Sequence, residues 1–151
     1  MITIGIRAAP REVTFAIYDS ATSKVVNVEG IRVPAALSIP ENLKYVRSNL
    51  LDILREYQVE NAGVRTTEPN AQQVNIERIQ IEGVIQEAFA SSMLTAYFAG
   101  PIATIASKLK INRTAFKEIV DGDNQFDIEN WDKTKANARE AILTAIGAVN
   151  V

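Results

Sequence analysis

Ile2-Thr3-Ile4-Gly5-Ile6-Arg7, then Ala8-Ala9-Pro10-Arg11, then Val13-Thr14-Phe15-Ala16-Ile17-Tyr18-Asp19 open the chain. In the first stretch Ile2, Ile4 and Ile6 recur every second residue, the period that gathers apolar side chains on one face of a strand. The last stretch is rich in β-branched and aromatic residues, and the segment between them supplies a tight turn, so the pair predicts a β-hairpin. Its first strand ends in a charged residue, Arg7. After the loop cluster Asp19-Ser20-Ala21-Thr22-Ser23, residues 24–34 carry Val25, Val26, Val28, Ile31 and Val33 and predict a third antiparallel strand, with Gly30 as the place for a bulge. A three-stranded meander alone identifies no fold.

The rest of the chain supplies the alternation that does. Pro40 precedes a helix expected over 41–57, in which Leu43, Val46, Leu50, Leu54 and Tyr57 fall three or four apart and Ile53 widens the stripe. Residues 59–65 read as a short fourth strand, reached by a crossover and so parallel to the first, and it too ends in arginine, Arg65. A second helix is expected from near Asn70 to Ala90, with Val74, Ile81, Val84, Ile85, Ala88 and Phe89 buried and with Ile76 and Ile79 forming a second apolar side that offers a partner surface. A fifth strand over 94–99 follows. Gly100-Pro101 then starts a short helix bearing Ile102, Ile105 and Leu109, and Asn112 caps another through Val120. Asp121-Gly122-Asp123-Asn124 makes a turn. Trp131 anchors a last helix over 132–148, whose inner face of Ala138, Ala141, Ile142, Ala145 and Ile146 is small enough to approach a sheet closely. No internal repeat, low-complexity tract or linker interrupts the 151 residues, so one domain spanning 1–151 is expected.

This order resembles the RNase H-like superfamily, and the RuvC-type resolvase branch in particular, over nearly the whole chain. Ile4-Gly5-Ile6-Arg7, the hairpin and Ala16-Ile17-Tyr18-Asp19 resemble the resolvase opening, in which the residue ending the first strand is an aspartate that holds a catalytic metal. Ala62-Gly63-Val64-Arg65 stands where that family has a strand ending in glutamate. Asn137-Ala138-Arg139-Glu140-Ala141-Ile142 is similar to the acidic pair at the start of the family's last helix. The resemblance implies an α/β fold with an RNase H-like mixed β-sheet, three antiparallel strands followed by parallel ones, flanked by α-helices.

The chemistry that the resemblance implies needs several carboxylates, because two divalent cations must be held side by side, one activating water and the other stabilising the leaving oxygen. Position by position, Arg7 replaces the first acid, Arg65 the second and Asn137 the third, and only Glu140 keeps a carboxylate. Two guanidiniums in such a pocket repel a cation by on the order of several kcal/mol at an effective dielectric near 20. Three readings of Arg7 and Arg65 stay open. They pair with Glu140, Glu68 or Glu12 as a structural ion-pair cluster; or they grip an anion at the carboxyl ends of the strands, where open α/β sheets bind ligands; or the family correspondence is shifted, and Asp19, Glu68 and Glu140 form a rearranged catalytic cluster with Mg²⁺ as its cofactor.

Composition narrows the field. Hydrophobic residues make up 47% and charged residues 23% of the chain, as in ordinary globular proteins. With 16 Lys+Arg against 18 Asp+Glu the net charge is −2, so any surface for nucleic acid must be local. There is no cysteine and no histidine, which excludes disulfides, thiolate chemistry, Cys or His metal ligation and a histidine general base. Only oxygen ligands remain, suited to Mg²⁺, Ca²⁺ or Mn²⁺. The opening lacks a secretory pattern and the apolar runs are short, so a cytoplasmic protein without a membrane partner is expected.

Lys108, Lys110, Arg113 and Lys117 span two short helices and read either as a nucleic-acid-binding groove or as a solvated face. Tyr45, Tyr57, Tyr97 and Phe98 read as packing rather than stacking platforms. The run from Asp121 to Asp127 lacks the ligand spacing of an EF-hand and reads as a turn. The leading expectation is a non-catalytic, homodimeric binding or assembly module without a cofactor, with nucleic acid or a protein as partner. The alternatives are a metal-dependent nuclease with a rearranged acidic site and a small-anion binder using Arg7 and Arg65.

Overall fold

The computed structural model describes residues 1–151. Strands β1 (Ile2–Ala8), β2 (Glu12–Asp19) and β3 (Lys24–Arg32) form the expected antiparallel meander, and β4 (Asn61–Arg65) and β5 (Ala96–Gly100) join it in parallel. The sheet order is β3-β2-β1-β4-β5. Parallel pairing demands crossovers, supplied by helices α1 (Ile39–Glu56) and α2 (Ile76–Ala90). The remaining helices are α3 (Ile102–Leu109), α4 (Arg113–Val120) and α5 (Ala136–Gly147). No helix is long and apolar enough to cross a membrane.

The two faces of β1 show how alternation builds two cores. Ile4, Ile6 and Ala8 join Val46, Leu50 and Leu54 of α1 and Ile81, Ile85 and Phe89 of α2 in one cluster. The opposite face is covered by α5, which packs with α3 and α4 in a second cluster that includes Phe116, Trp131 and Leu143. Thr3, Gly5 and Arg7 point to this second face, in register with Asn61, Gly63 and Arg65 of β4. The middle row is bare because α5 lies almost on the sheet: a Cβ on Gly5 would stand 2.1 Å from the Ala141 carbonyl oxygen and 2.2 Å from the Ala145 nitrogen. The outer row on one side holds α5 by polar contacts. Thr3 Oγ1 donates to the Ala145 carbonyl at 2.6 Å and Asn61 Nδ2 to the Ala148 carbonyl at 3.0 Å. The row on the other side is Arg7 and Arg65.

Several boundaries differ from the sequence reading. α2 starts at Ile76 rather than near Asn70, because the Asn75 side chain accepts from Arg78 N at 3.0 Å and caps the helix there. Val74, expected in the core, precedes that cap and is exposed. Residues 131–133 form a separate 3₁₀ turn before α5, and Trp131 anchors it by donating from Nε1 to the Ile119 carbonyl at 3.0 Å. The irregularity between β2 and β3 falls at Ile17/Tyr18, which face Asn27 and Val25 and leave Val26 as the extra residue. Gly30 is regularly paired with Thr14, and its missing Cβ makes room for the Glu12 side chain.

Candidate functional site

Arg7, one residue before the end of β1 at Ala8, and Arg65, the last residue of β4, are direct neighbours in the parallel register, on the face that α5 covers. The first turns of α5 bring Glu140 down between them. Arg7 Nε donates to Glu140 Oε2 at 3.2 Å, and Arg65 Nε lies 3.0 Å from Glu140 Oε1. The second contact is a short charge pair without hydrogen-bond alignment, so Arg65 Nε and Glu140 Oε1 both lack a hydrogen-bond partner. Arg65 and Glu140 are 7% and 8% exposed, which removes most of the solvent screening that makes surface ion pairs weak. Each arginine also donates from Nη1 to a main-chain carbonyl at its own strand end, Arg7 to Ala8 and Arg65 to Thr66.

A second ion pair completes the centre, and the sequence reading missed it. Arg78 Nε donates to Glu82 Oε2 at 2.8 Å across one turn of α2. Glu82 also receives Thr67 N at 3.0 and 3.1 Å and Thr67 Oγ1 at 2.9 Å, which ties α2 to the chain leaving β4. Burial lowers the proton affinity of Arg78 below that of an ordinary arginine, and the nearby charges of Arg7 and Arg65 lower it further, with Glu82 opposing. The only sequence signal was the Arg78/Glu82 spacing of four on one helix face. That spacing is common on solvated helices; the Thr67 anchor is tertiary.

Three guanidiniums and two carboxylates therefore lie near one another at the strand ends, in two ion-pair groups close enough for the charges of Arg7 and Arg65 to act on Arg78. Beside them opens a cavity of about 240 Å³ lined by Arg65, Glu140, Ile102, Phe116, Lys117 and Asp121 among others. No three carboxylates converge anywhere in the chain. The donor set at the strand ends does not fit the divalent-cation pair that the family resemblance implies.

The other candidate residues lie apart. Asp19 pairs with Ile2 at the opposite end of the sheet from Arg7, because β2 runs antiparallel to β1, and its Oδ1 accepts from Ala21 N in a turn. Glu68 is drawn to the start of α3, where it accepts from Ile102 N at 3.1 Å and pairs with Arg113 at 3.1 Å. Asp19, Glu68 and Glu140 thus do not form one cluster. Asn137 is exposed near Glu12 and Glu29, away from Arg65. Of the basic set, Lys117 lines the cavity, Lys108 sits 4.8 Å over the Phe98 ring, and Lys110 is exposed at the left-handed end of α3.

The architecture is an RNase H-like α/β fold: a mixed five-stranded sheet, antiparallel then parallel, between helices on both faces. Within that class it has the build of the RuvC resolvases. The structure of RuvC from Thermus thermophilus in complex with a Holliday junction substrate superposes with a TM-score of 0.72 at 12% identity, covering 97% of this chain and 91% of that one. A second structure of RuvC from Thermus thermophilus gives 0.72 at 13% identity, with 97% of this chain and 92% of that one covered. No family model matches the chain, and no curated protein matches it by sequence.

Proposed function

We propose that this chain is a non-catalytic, cytoplasmic binding or assembly module of RuvC-like build that acts in nucleic-acid handling. The observation that carries this reading is the pairing of Arg7 and Arg65 on the single carboxylate of Glu140, at the strand ends where two-metal chemistry needs clustered acids. Substituting guanidiniums for carboxylates turns a cation-holding centre into one that repels cations and attracts phosphate. Lys108, Lys110, Arg113 and Lys117 on the adjoining α3 and α4 extend the positive character outward, which supports a backbone-contacting role despite the net charge of −2. Exposed Ile76 and Ile79 on α2 support homodimerisation, checked by sedimentation velocity, where a monomer at all concentrations would overturn it.

A gel-shift assay with four-way junction and duplex DNA, run beside a cleavage assay in Mg²⁺ and Mn²⁺, tests the function. The expected result is salt-sensitive retention of DNA without strand scission. Metal-dependent scission would refute the non-catalytic part, and no retention at low salt would refute the nucleic-acid part.

A further inference from the structure

We propose that the free edge of β3 pairs antiparallel with the β3 edge of a second copy of this chain, joining the two sheets into one across a two-fold axis at Gly30. The order β3-β2-β1-β4-β5 leaves β3 and β5 as edges. β5 has five residues, whereas β3 has nine and carries Val26 and Val28 at 52% and 36% exposure. A long edge presents a row of unmade main-chain donors and acceptors, and the group that satisfies such a row is another strand. Which groups face outward follows from the alternation of hydrogen bonds between antiparallel strands. Ala9 N donates to the Glu12 carbonyl and Ser20 N to the Met1 carbonyl, so the even residues of β2 bond to β1. Val33 N donates to the Arg11 carbonyl, so the odd residues of β2 bond to β3, where Asn27, Glu29 and Ile31 receive them. The N–H and C=O of Val28, Gly30 and Arg32 therefore point away from the sheet, and no main-chain hydrogen bond reaches them.

The edge is complementary to itself. Its outward set is bounded by the extra residue Val26 on one side and by the end of β3 at Arg32 on the other, so it is symmetric about Gly30. An axis there sets Gly30 opposite the partner's Gly30, and Val28 opposite the partner's Arg32 at both ends of the ladder. The charges bordering the edge are of both signs and uncommitted: Glu12, Glu29, Arg32, Lys133 and Lys135 make no ion pair within the chain. A two-fold axis presents each sign to the opposite sign on the other copy, as an isologous interface requires. The groove of about 640 Å³ between β3 and residues 133–138 leaves room above the junction for the partner's Arg32. Lys24 lies beyond the bulge and stays outside the ladder. Regular pairing covers 28–32 alone, so the association is a weak one, and it is separate from the α2 surface that carries Ile76 and Ile79.

Amide hydrogen exchange of the full chain, read by NMR at about 20 μM and about 1 mM, is the direct test. The Val28, Gly30 and Arg32 amides are expected to exchange about tenfold or more slowly at the higher concentration, while Asn27, Glu29 and Ile31, turned to β2, stay protected at both. Protection of the outward amides at both concentrations that Val28→Lys abolishes supports the pairing equally. Outward amides that exchange freely at both would overturn it. The register also gives a charge test at the surface position Val28. Val28→Lys sets like charges opposite each other at both ends of the ladder and should weaken association about tenfold by sedimentation velocity, whereas Val28→Glu sets opposite charges there and should hold or tighten it. Equal weakening by the two variants, or none by Val28→Lys, would overturn the proposal. Dimers whose Val28, Gly30 and Arg32 amides remain unprotected uphold association through α2 and refute the edge, and repeating the series in Ile79→Asp removes the α2 contribution.

Discussion

Replacing Glu140 by glutamine is the most demanding test of the centre. The substitution keeps the size of the side chain and its main-chain partners, including the hydrogen bond that the Glu140 carbonyl accepts from Thr144 Oγ1 at 2.7 Å, and removes only the negative charge. Glu82 is already engaged by Arg78 and Thr67, so Arg7 and Arg65 would be left without a carboxylate partner, with Arg65 only 7% exposed. Breaking a buried ion pair by removing one partner costs about 3–5 kcal/mol, because the remaining charge stays desolvated. For a domain of this size that is about a fifth or more of a total stability of roughly 5–15 kcal/mol. Urea unfolding read by the fluorescence of Trp131, the only tryptophan and 3% exposed, gives the value directly. With a slope of about 2 kcal/mol/M, the midpoint is expected to fall by roughly 2 M. The double variant Glu140→Gln with Arg65→Met is expected to regain part of the loss, since the two positions touch and their effects do not add. A loss under about 1 kcal/mol, the scale of an exposed pair, would refute the view that Glu140 is the buried counter-ion of both strand ends.

Gly5→Ala is expected to destabilise by at least the roughly 1–3 kcal/mol of core overpacking, since its Cβ would press on helix backbone that cannot give way; Gly83→Ala, where nothing lies within 4 Å, should instead stabilise by about 0.5–1 kcal/mol, and thermal melts compare the two. Asn75→Ala removes the acceptor for Arg78 N and should cost about 1 kcal/mol by chemical denaturation while loosening Arg78 itself. Hydrogen bonds from Ser38 hold the Glu41 carboxyl below its ordinary value, so the folded-state pKa is depressed. The resulting stability is present above the unfolded pKa of about 4.3 and lost as pH falls through the folded value; Ser38→Ala should flatten that acid limb in pH-dependent melts.

Much of the fold was legible because local patterns and global packing agree. Alternation in the first strand and the arginines at the ends expected for the first and fourth strands place Arg7 beside Arg65, and the parallel register bears this out, although β1 runs one residue further, to Ala8. Asn112 as a cap, Trp131 as an anchor and the small inner face of α5 were likewise readable. The start of α2 was not. Helical periodicity runs backward through Val74, but the Asn75 side chain satisfies a first-turn N–H and ends the helix there. Arg78 and Glu82 escaped notice for the same reason that most helical ion pairs do: their sequence spacing is that of a solvated pair, and only the docking of α2 against the end of β4 buries it.

By itself the sequence determined the alternation of strands and helices, the two strand-end arginines, and the exclusion of cysteine and histidine chemistry. Those are local or compositional properties, set by side-chain period and residue type. Which carboxylate meets the arginines was decided by tertiary structure alone. Glu140 is more than seventy positions from either one, and reaches them because α5 settles onto the bare rows of Gly5 and Gly63. Asp19 is kept at the far end of the sheet by antiparallel pairing, and Glu68 is captured by the start of α3. Charge selects among acids only after packing has chosen which come within reach, and packing is a property of the whole chain.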